Sequence, residues 1–217
     1  MTSRVRYRMA SGITRRSPLE AMAGDLAAAS TTELSIREVP FAVQIDVRGN
    51  SHSGEFPAAA HAILGGDLPL APNTFTRISS MDALWLGPDQ WLLVSIGDAA
   101  ASGLEASLRR ALAGQRLSIV DVSDCRALLD VSGTQSRKVL MQGSSLDLHP
   151  RSFGPGQCAQ TLLARAPIIL QQLTDAPSYR IFVARSFSHY MAKWLCDAVR
   201  SCLLEGEGLP GAGSGSQ

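Results

Sequence analysis

The chain has 217 residues, of which 45% are apolar and 18% charged, and its formal net charge is +1. That length suits one compact domain or two small, closely packed halves, and so apolar a composition excludes a disordered chain. The near-zero charge excludes a general electrostatic grip on nucleic acid or membrane, and no apolar run approaches the ~20 residues that span a bilayer.

In chain order, residues 1–16 read as a flexible basic arm carrying Arg4, Arg6, Arg8, Arg15 and Arg16, with no apolar stretch behind them to make a secretion signal. Pro40–Arg48 alternates apolar and polar after Phe41, so Val43, Ile45 and Val47 face one way on a strand. Glu55–Leu64 has the Ala-rich composition of a helix, with Pro57 confined to its first turn. Phe75–Ser79 is a short strand. Leu84–Ile96 forms a hairpin around Gly87-Pro88-Asp89-Gln90, where Pro88 presets φ for a type I turn. Asp98–Ala113 is a helix with Leu104, Leu108 and Leu112 in a stripe, stopped by Gly114.

The pattern then recurs. Leu117–Val122 and Ala127–Val131 are strands, and Thr134–Gln142 is a short helix. After a Gly/Pro-rich loop come strands at Cys158–Arg165, Ile168–Leu173 and Tyr179–Ala184. A last helix over Phe187–Leu203 places Met191, Trp194, Leu195, Ala198 and Cys202 on one face. The fold class is therefore α+β, with two pseudo-repeated β-α-β-β-α halves, about 17–114 and 115–204, in a single domain 17–204. Helices cover largely antiparallel sheets, and residues 205–217 form a flexible Gly/Ser-rich tail.

Candidate chemistry is sparse. The four cysteines, Cys125, Cys158, Cys196 and Cys202, lack C-x-x-C spacing and sit among apolar neighbours, which fits reduced, buried thiols in a cytoplasmic protein. Gly154–Ala159 (GPGQCA) matches a dinucleotide fingerprint in form only, since that fingerprint needs a strand before it and a helix after it. Asp121 and Arg126 cluster where two strands meet. They and His149 are the first places to seek a ligand pocket, although Asp and Ser there serve equally to stitch a turn. Asp147, His149 and Arg151 alternate, and in an extended segment would point the same way, toward an anion or a partner; cross-linking of the loop is the simpler reading. Trp85 and Trp91 flank the hairpin turn and suit either a protein interface or the core. With no nucleophile–base pair, metal cluster or phosphate loop in credible context, no catalytic or metal-binding residue is assigned, and a scaffold is favoured over an enzyme.

Five phrases in order carry a family resemblance: Arg16-Ser17-Pro18-Leu19, Leu84–Leu93 (LWLGPDQWLL), Val120–Arg126 (VDVSDCR), Leu146–Thr161 (LDLHPRSFGPGQCAQT) and Ala184–Leu195 (ARSFSHYMAKWL). Together, over roughly residues 16–203, they resemble the gamma subunit of heterotetrameric sarcosine oxidase. Gln90 departs from the family's Glu, and Ser144 from a common Cys.

The resemblance implies a fold similar to the folate-binding domain of aminomethyltransferases, and a structural role beside alpha, beta and delta subunits. Those subunits would carry FAD, FMN, NAD, zinc and tetrahydrofolate, with no cofactor in this chain. The complex would demethylate sarcosine oxidatively to glycine. An equivalent subunit of an N-methylglutamate dehydrogenase-like complex, or a stand-alone folate-binding protein, is the alternative.

Overall fold

The structure, a computed structural model, describes residues 15–97, 103–114 and 116–206. Most of the expected arm and nearly all of the expected tail therefore lie outside the described residues. A 3-10 turn at Glu20–Met22 leads into α1 (Ala23–Ala29). There follow β1 (Ser35–Glu38), β2 (Val43–Arg48), α2 (Glu55–Leu64), β3 (Phe75–Ile78), β4 (Met81–Gly87), β5 (Gln90–Ser95) and α3 (Leu104–Ala111). The same order then repeats as β6 (Ser118–Asp121), β7 (Arg126–Ser132), α4 (Ser136–Met141), β8 (Cys158–Leu163), β9 (Ala166–Thr174), β10 (Ser178–Ala184) and α5 (Ser188–Gly206).

The strands make two five-stranded sheets, β3-β4-β5-β2-β6 and β8-β9-β10-β7-β1, each antiparallel throughout. Position by position the orders correspond, except that each unit lends its first strand to the other's sheet. β1 completes the second sheet by pairing with β7, and β6 completes the first by pairing with β2. Neither half can be lifted away without exposing an unpaired edge.

The fold is the expected α+β class, with a longer repeat: β-β-α-β-β-β-α rather than β-α-β-β-α. β1 escapes a sequence reading because only Ile36 of Ser35–Glu38 is buried. α1 escapes it because seven residues with a single buried side chain, Leu26, carry no apolar stripe. The third helix is described from Leu104, after Gly103 at φ +94°, and the expected start at Asp98 lies outside the described residues. The last helix begins at Ser188 and runs one turn further, to Gly206, into the segment read as tail.

Four layers result. α2 and α3 bury Phe56, Ala60, Leu104 and Leu108 against Ile45, Trp91, Leu93 and Ile119 of the first sheet. α1, α4 and α5 bury Leu26, Val139, Leu140, Met191 and Leu195 against Leu129, Val131, Ile181 and Val183 of the second. Between the sheets, Leu84, Leu86, Leu92 and Val94 meet Leu128, Ile169 and Phe182. Both faces of each sheet carry buried side chains, which is why strands such as Trp91–Val94 read as continuous apolar runs rather than alternating ones. Among the described residues no helix is long and apolar enough to cross a membrane.

Trp91 belongs to the core and leaves the set of interface candidates. It is fully buried, stacks on Phe56 with ring centroids 5.5 Å apart, and donates its indole N–H to the Pro69 carbonyl at 2.7 Å. Trp85 stands opposite it in the β4–β5 register and is half-buried. Gln90 donates to Asp46 at 2.7 Å, a bond that Glu at this position cannot give.

Candidate functional site

The candidate pocket residues do not converge. Asp121 ends β6, and its Oδ1 accepts from the backbone N–H of Ser123 at 2.9 Å and from Ser123 Oγ at 2.5 Å. Ser123 Oγ also accepts from the backbone N–H of Gln44 at 2.9 Å. Asp121 thus braces the β6–β7 turn against β2. Asp147 is spent in the same way within its own loop, accepting from the backbone N–H of His149 at 3.0 Å and from Ser152 Oγ at 2.6 Å. The Ser152 bond, then the His149 bond, hold its carboxyl below the usual carboxylate range. His149 Nδ1 accepts from the backbone N–H of Arg151 at 3.2 Å. The segment is a tight turn rather than extended, so alternate spacing does not align Asp147, His149 and Arg151.

The GPGQCA loop runs into β8, a strand, where a dinucleotide site needs a helix N-terminus. Its backbone serves the fold instead: Gly156 C=O accepts from Phe75 N–H at 2.9 Å, and Cys158 N–H donates to Asn73 C=O at 2.9 Å, joining the two sheets at their β3 and β8 edges.

Arg126 is the member of the original set that opens onto a cavity. It begins β7 opposite Ala184 of β10. A cleft of about 440 Å³ is lined by Arg126 with Gln160, Pro167, Ile169, Phe182 and Ala184. On its other side Arg126 borders a hollow that also receives Arg15, Arg16 and Arg185. Neither Asp121 nor His149 lines either space. Nη1 of Arg126 is shielded from solvent and has no hydrogen-bond partner among the described residues.

A second polar group was missed from sequence. Across the second sheet, Arg37, Asp130, Arg180 and Gln171 stand in one row. Arg180 donates to both Asp130 oxygens, at 2.8 and 3.1 Å, and its Nη1 lies 3.6 Å from Asp82 Oδ2 of the facing sheet. Gln171 donates to Asp82 at 3.0 Å, Arg77 pairs with Asp82, and Arg37 donates to Asp130 at 2.9 Å. Asp82, Asp130 and Arg180 are buried. The available signal was a lone charge inside an otherwise apolar strand, as in Met81–Leu86, Leu128–Val131 and Tyr179–Val183. This network links the two sheets through Asp82, which takes Gln171 and Arg180 of the second sheet.

Neither group supplies a nucleophile. Of the four free thiols only Cys125 is exposed. Desolvation pushes the buried Cys158 thiol from 9.0 up to about 12. An alkylating reagent at pH 8 is therefore expected to label Cys125 rapidly in the native protein, and Cys158, Cys196 and Cys202 only on unfolding. Mass spectrometry of the labelled chain reads this out, and fast native labelling of Cys158 would refute it. The folded state keeps the Cys158 proton up to about pH 12 while the unfolded chain releases it at 9.0, so this contribution is intact below pH 9 and is lost between those values. Among the described residues no three His, Cys, Asp or Glu side chains group to hold a metal ion. What the described residues do hold is the paired Asp82–Arg180–Asp130 group and Arg126 at the cleft.

Comparison with known proteins agrees in kind. Residues 48–201 match the sarcosine oxidase gamma subunit family. The chain is 36% identical over 187 residues to sarcosine oxidase subunit gamma of Corynebacterium sp. (strain P-1), covering 85% of this chain and 90% of the relative. It is 35% identical to the subunit of the same name from Arthrobacter sp., with the same coverage. Among solved structures it is similar to a chain of the heterotetrameric sarcosine oxidase from Corynebacterium sp. U-96 in complex with pyrrole 2-carboxylate, with a TM-score of 0.79 and 34% identity over 86% of this chain and 95% of that one. The glycine cleavage system aminomethyltransferase T from Bartonella henselae shares the fold, with a TM-score of 0.57 and 14% identity over 80% of this chain and 48% of that one.

Proposed function

The chain belongs to the sarcosine oxidase gamma subunit family, and from that premise we propose that it is a non-catalytic structural subunit of a sarcosine oxidase-like heterotetrameric flavoprotein complex. The observation that carries the proposal is the match of this chain to 95% of one chain of a heterotetrameric sarcosine oxidase, which leaves little of that subunit without a counterpart. In this reading its partners are alpha, beta and delta subunits, and the assembly sits in the cytoplasm. The partners carry the FAD, FMN, NAD, zinc and tetrahydrofolate. The assembled complex oxidises sarcosine to glycine, reduces dioxygen to hydrogen peroxide, and passes the one-carbon unit to tetrahydrofolate or releases it as formaldehyde. The residues of this chain support a packing role, because its buried charges are paired within the fold and its exposed thiol has no base assigned to it.

A tagged chain purified from its native cell is expected to bring down three other chains, with a flavin absorption spectrum and sarcosine-dependent peroxide release. Recovery of the chain alone, colourless and monodisperse, would overturn the proposal. Turnover with N-methylglutamate in place of sarcosine would move the assembly to the related dehydrogenase class. Binding of tetrahydrofolate by the isolated chain would favour a stand-alone folate protein instead.

A further inference from the structure

The inner face of the second sheet consists of three rows across its strands. Arg37, Asp130, Arg180 and Gln171 make the first, and Leu128, Phe182, Ile169 and Gln160 the second. In the third, Arg126 stands opposite Ala184, and Pro167 opposite Leu162. The facing sheet covers the first two rows. Its last hold is the Leu86 carbonyl, which accepts from Gln160 Nε2 at 2.8 Å. Beyond that point the third row is bare: Leu162 is 53% exposed and Pro167 is exposed. Here the inner face opens into the 440 Å³ cleft, with Arg126 at one end.

Positive charge is in excess beyond that end, where Arg15, Arg16, Arg126 and Arg185 meet Glu38 and Asp124. Arg185 follows Ala184 directly, and its backbone N–H donates to Cys125 C=O at 2.9 Å, which sets it beside Arg126. With Arg15 and Arg16, Arg185 borders the hollow on the other side of Arg126 from the cleft. Of the two carboxylates there, Asp124 is taken by Arg15 at 3.0 Å, and Glu38 by Ser17 Oγ at 2.6 Å and the Leu19 N–H at 3.2 Å. Arg16, Arg126 and Arg185 are left without an ion pair among the described residues. A shielded guanidinium nitrogen with no acceptor is costly unless something brings one.

We propose that this bare row, with Arg126 at its end and the arginine hollow that Arg126 shares with Arg185 just beyond, forms a docking site for an apolar segment bearing an aspartate or glutamate on a partner subunit. The proposal rests on the subunit reading above. Guanidinium groups take carboxylates in a bidentate fork, and the adjoining row offers Leu162, Pro167 and Ala184 to apolar flanks. A small molecule fits less well, since small-ligand sites enclose most of the ligand surface, whereas this cleft lies open along β8, the edge strand. The basic arm cannot be the occupant's acid, because residues 1–16 contain no Asp or Glu.

The test uses the tagged chain in the assembly it forms. Wild type is compared with Arg126→Gln/Arg185→Gln, with the surface reversal Arg185→Glu, and with Arg200→Gln as a control for loss of an exposed charge elsewhere. Partner retention is measured across a salt series. The double variant and Arg185→Glu are expected to weaken retention by about tenfold or more, while Arg200→Gln stays at the wild-type level. Arg185→Glu is expected to keep the wild-type melting temperature, so its loss of retention reports binding and not misfolding. Wild-type retention by both cleft variants overturns the docking site and leaves the subunit reading standing. Failure of wild type to retain any partner overturns that reading and the docking site with it. A change in self-association of the isolated chain, with partner retention intact, assigns the row to a second copy and refutes the proposal.

Discussion

Arg180→Met is expected to destabilise the chain by about 3–5 kcal/mol, the usual cost of removing one partner of a buried ion pair and leaving the other buried. Here one guanidinium serves two carboxylates. Its side chain is 7% exposed, that of Asp130 7% and that of Asp82 3%. Of charged partners, Asp130 would keep only Arg37 and Asp82 only Arg77, beside the neutral Gln171 amide, and those two arginine side chains are 68% and 60% exposed. Exposed partners are screened by water and cannot replace a buried one. For a chain of this size that loss corresponds to a fall of roughly 6–20 °C in melting temperature. Arg37→Gln removes a donor to the same Asp130 from the solvent side and is expected to cost no more than about 1 kcal/mol. Urea unfolding of the two variants against wild type decides the matter. Equal, small effects would mean that the sheets are held by apolar contact alone and that the network is incidental.

What the sequence disclosed, and what it hid, follow from where each signal resides. The hairpin of β4 and β5, helix α2 and the long last helix are written in local patterns: an apolar run around Gly87-Pro88-Asp89-Gln90, Ala-rich composition, and an apolar stripe through Met191, Leu195 and Ala198. The repeat was visible as an order of elements. Its exchange of first strands was not, because β1 and β6 are four residues each and their pairing is decided by partners far along the chain. Trp91 could not be separated from Trp85 by spacing. The β4–β5 register sets them opposite each other, and only the packing of Phe56 shows which one is buried. The Asp82–Arg180–Asp130 network needed two sheets to be brought face to face. Arg126 was singled out with Asp121 because they share a turn, but turn chemistry consumes Asp121 and strand direction sends Arg126 to the inner face.

The exchanged strand also has a point where a single atom should undo it. Gly133 follows β7 with φ at +113°, and a Cβ there would overlap the Glu33 carbonyl oxygen and lie 3.1 Å from Leu34 Cα. Both neighbours are backbone at the entry to β1, so no side-chain rotation can relieve the contact. The same corner is tied by Gly133 N–H to Pro177 C=O at 3.0 Å and by Ser136 Oγ to the Gly133 carbonyl at 2.7 Å. Gly133→Ala is therefore expected to combine about 1–3 kcal/mol of backbone strain with the displacement of β1. Gly156→Ala is the comparison. Its φ is +82° but nothing lies within 4 Å of the added carbon, so strain alone applies, about 1–2 kcal/mol. The excess of the first over the second measures the close approach of β1. Because β1 continues into Val39, Pro40 and Phe41, which border the arginine hollow, Gly133→Ala should also weaken partner retention, and Gly156→Ala should leave it unchanged. Hydrogen exchange at Val39, whose backbone N–H donates to the Leu128 carbonyl of β7 at 2.9 Å, follows the β1 segment directly. If that amide stayed as protected in Gly133→Ala as in wild type, the swapped strand would not be what anchors that corner.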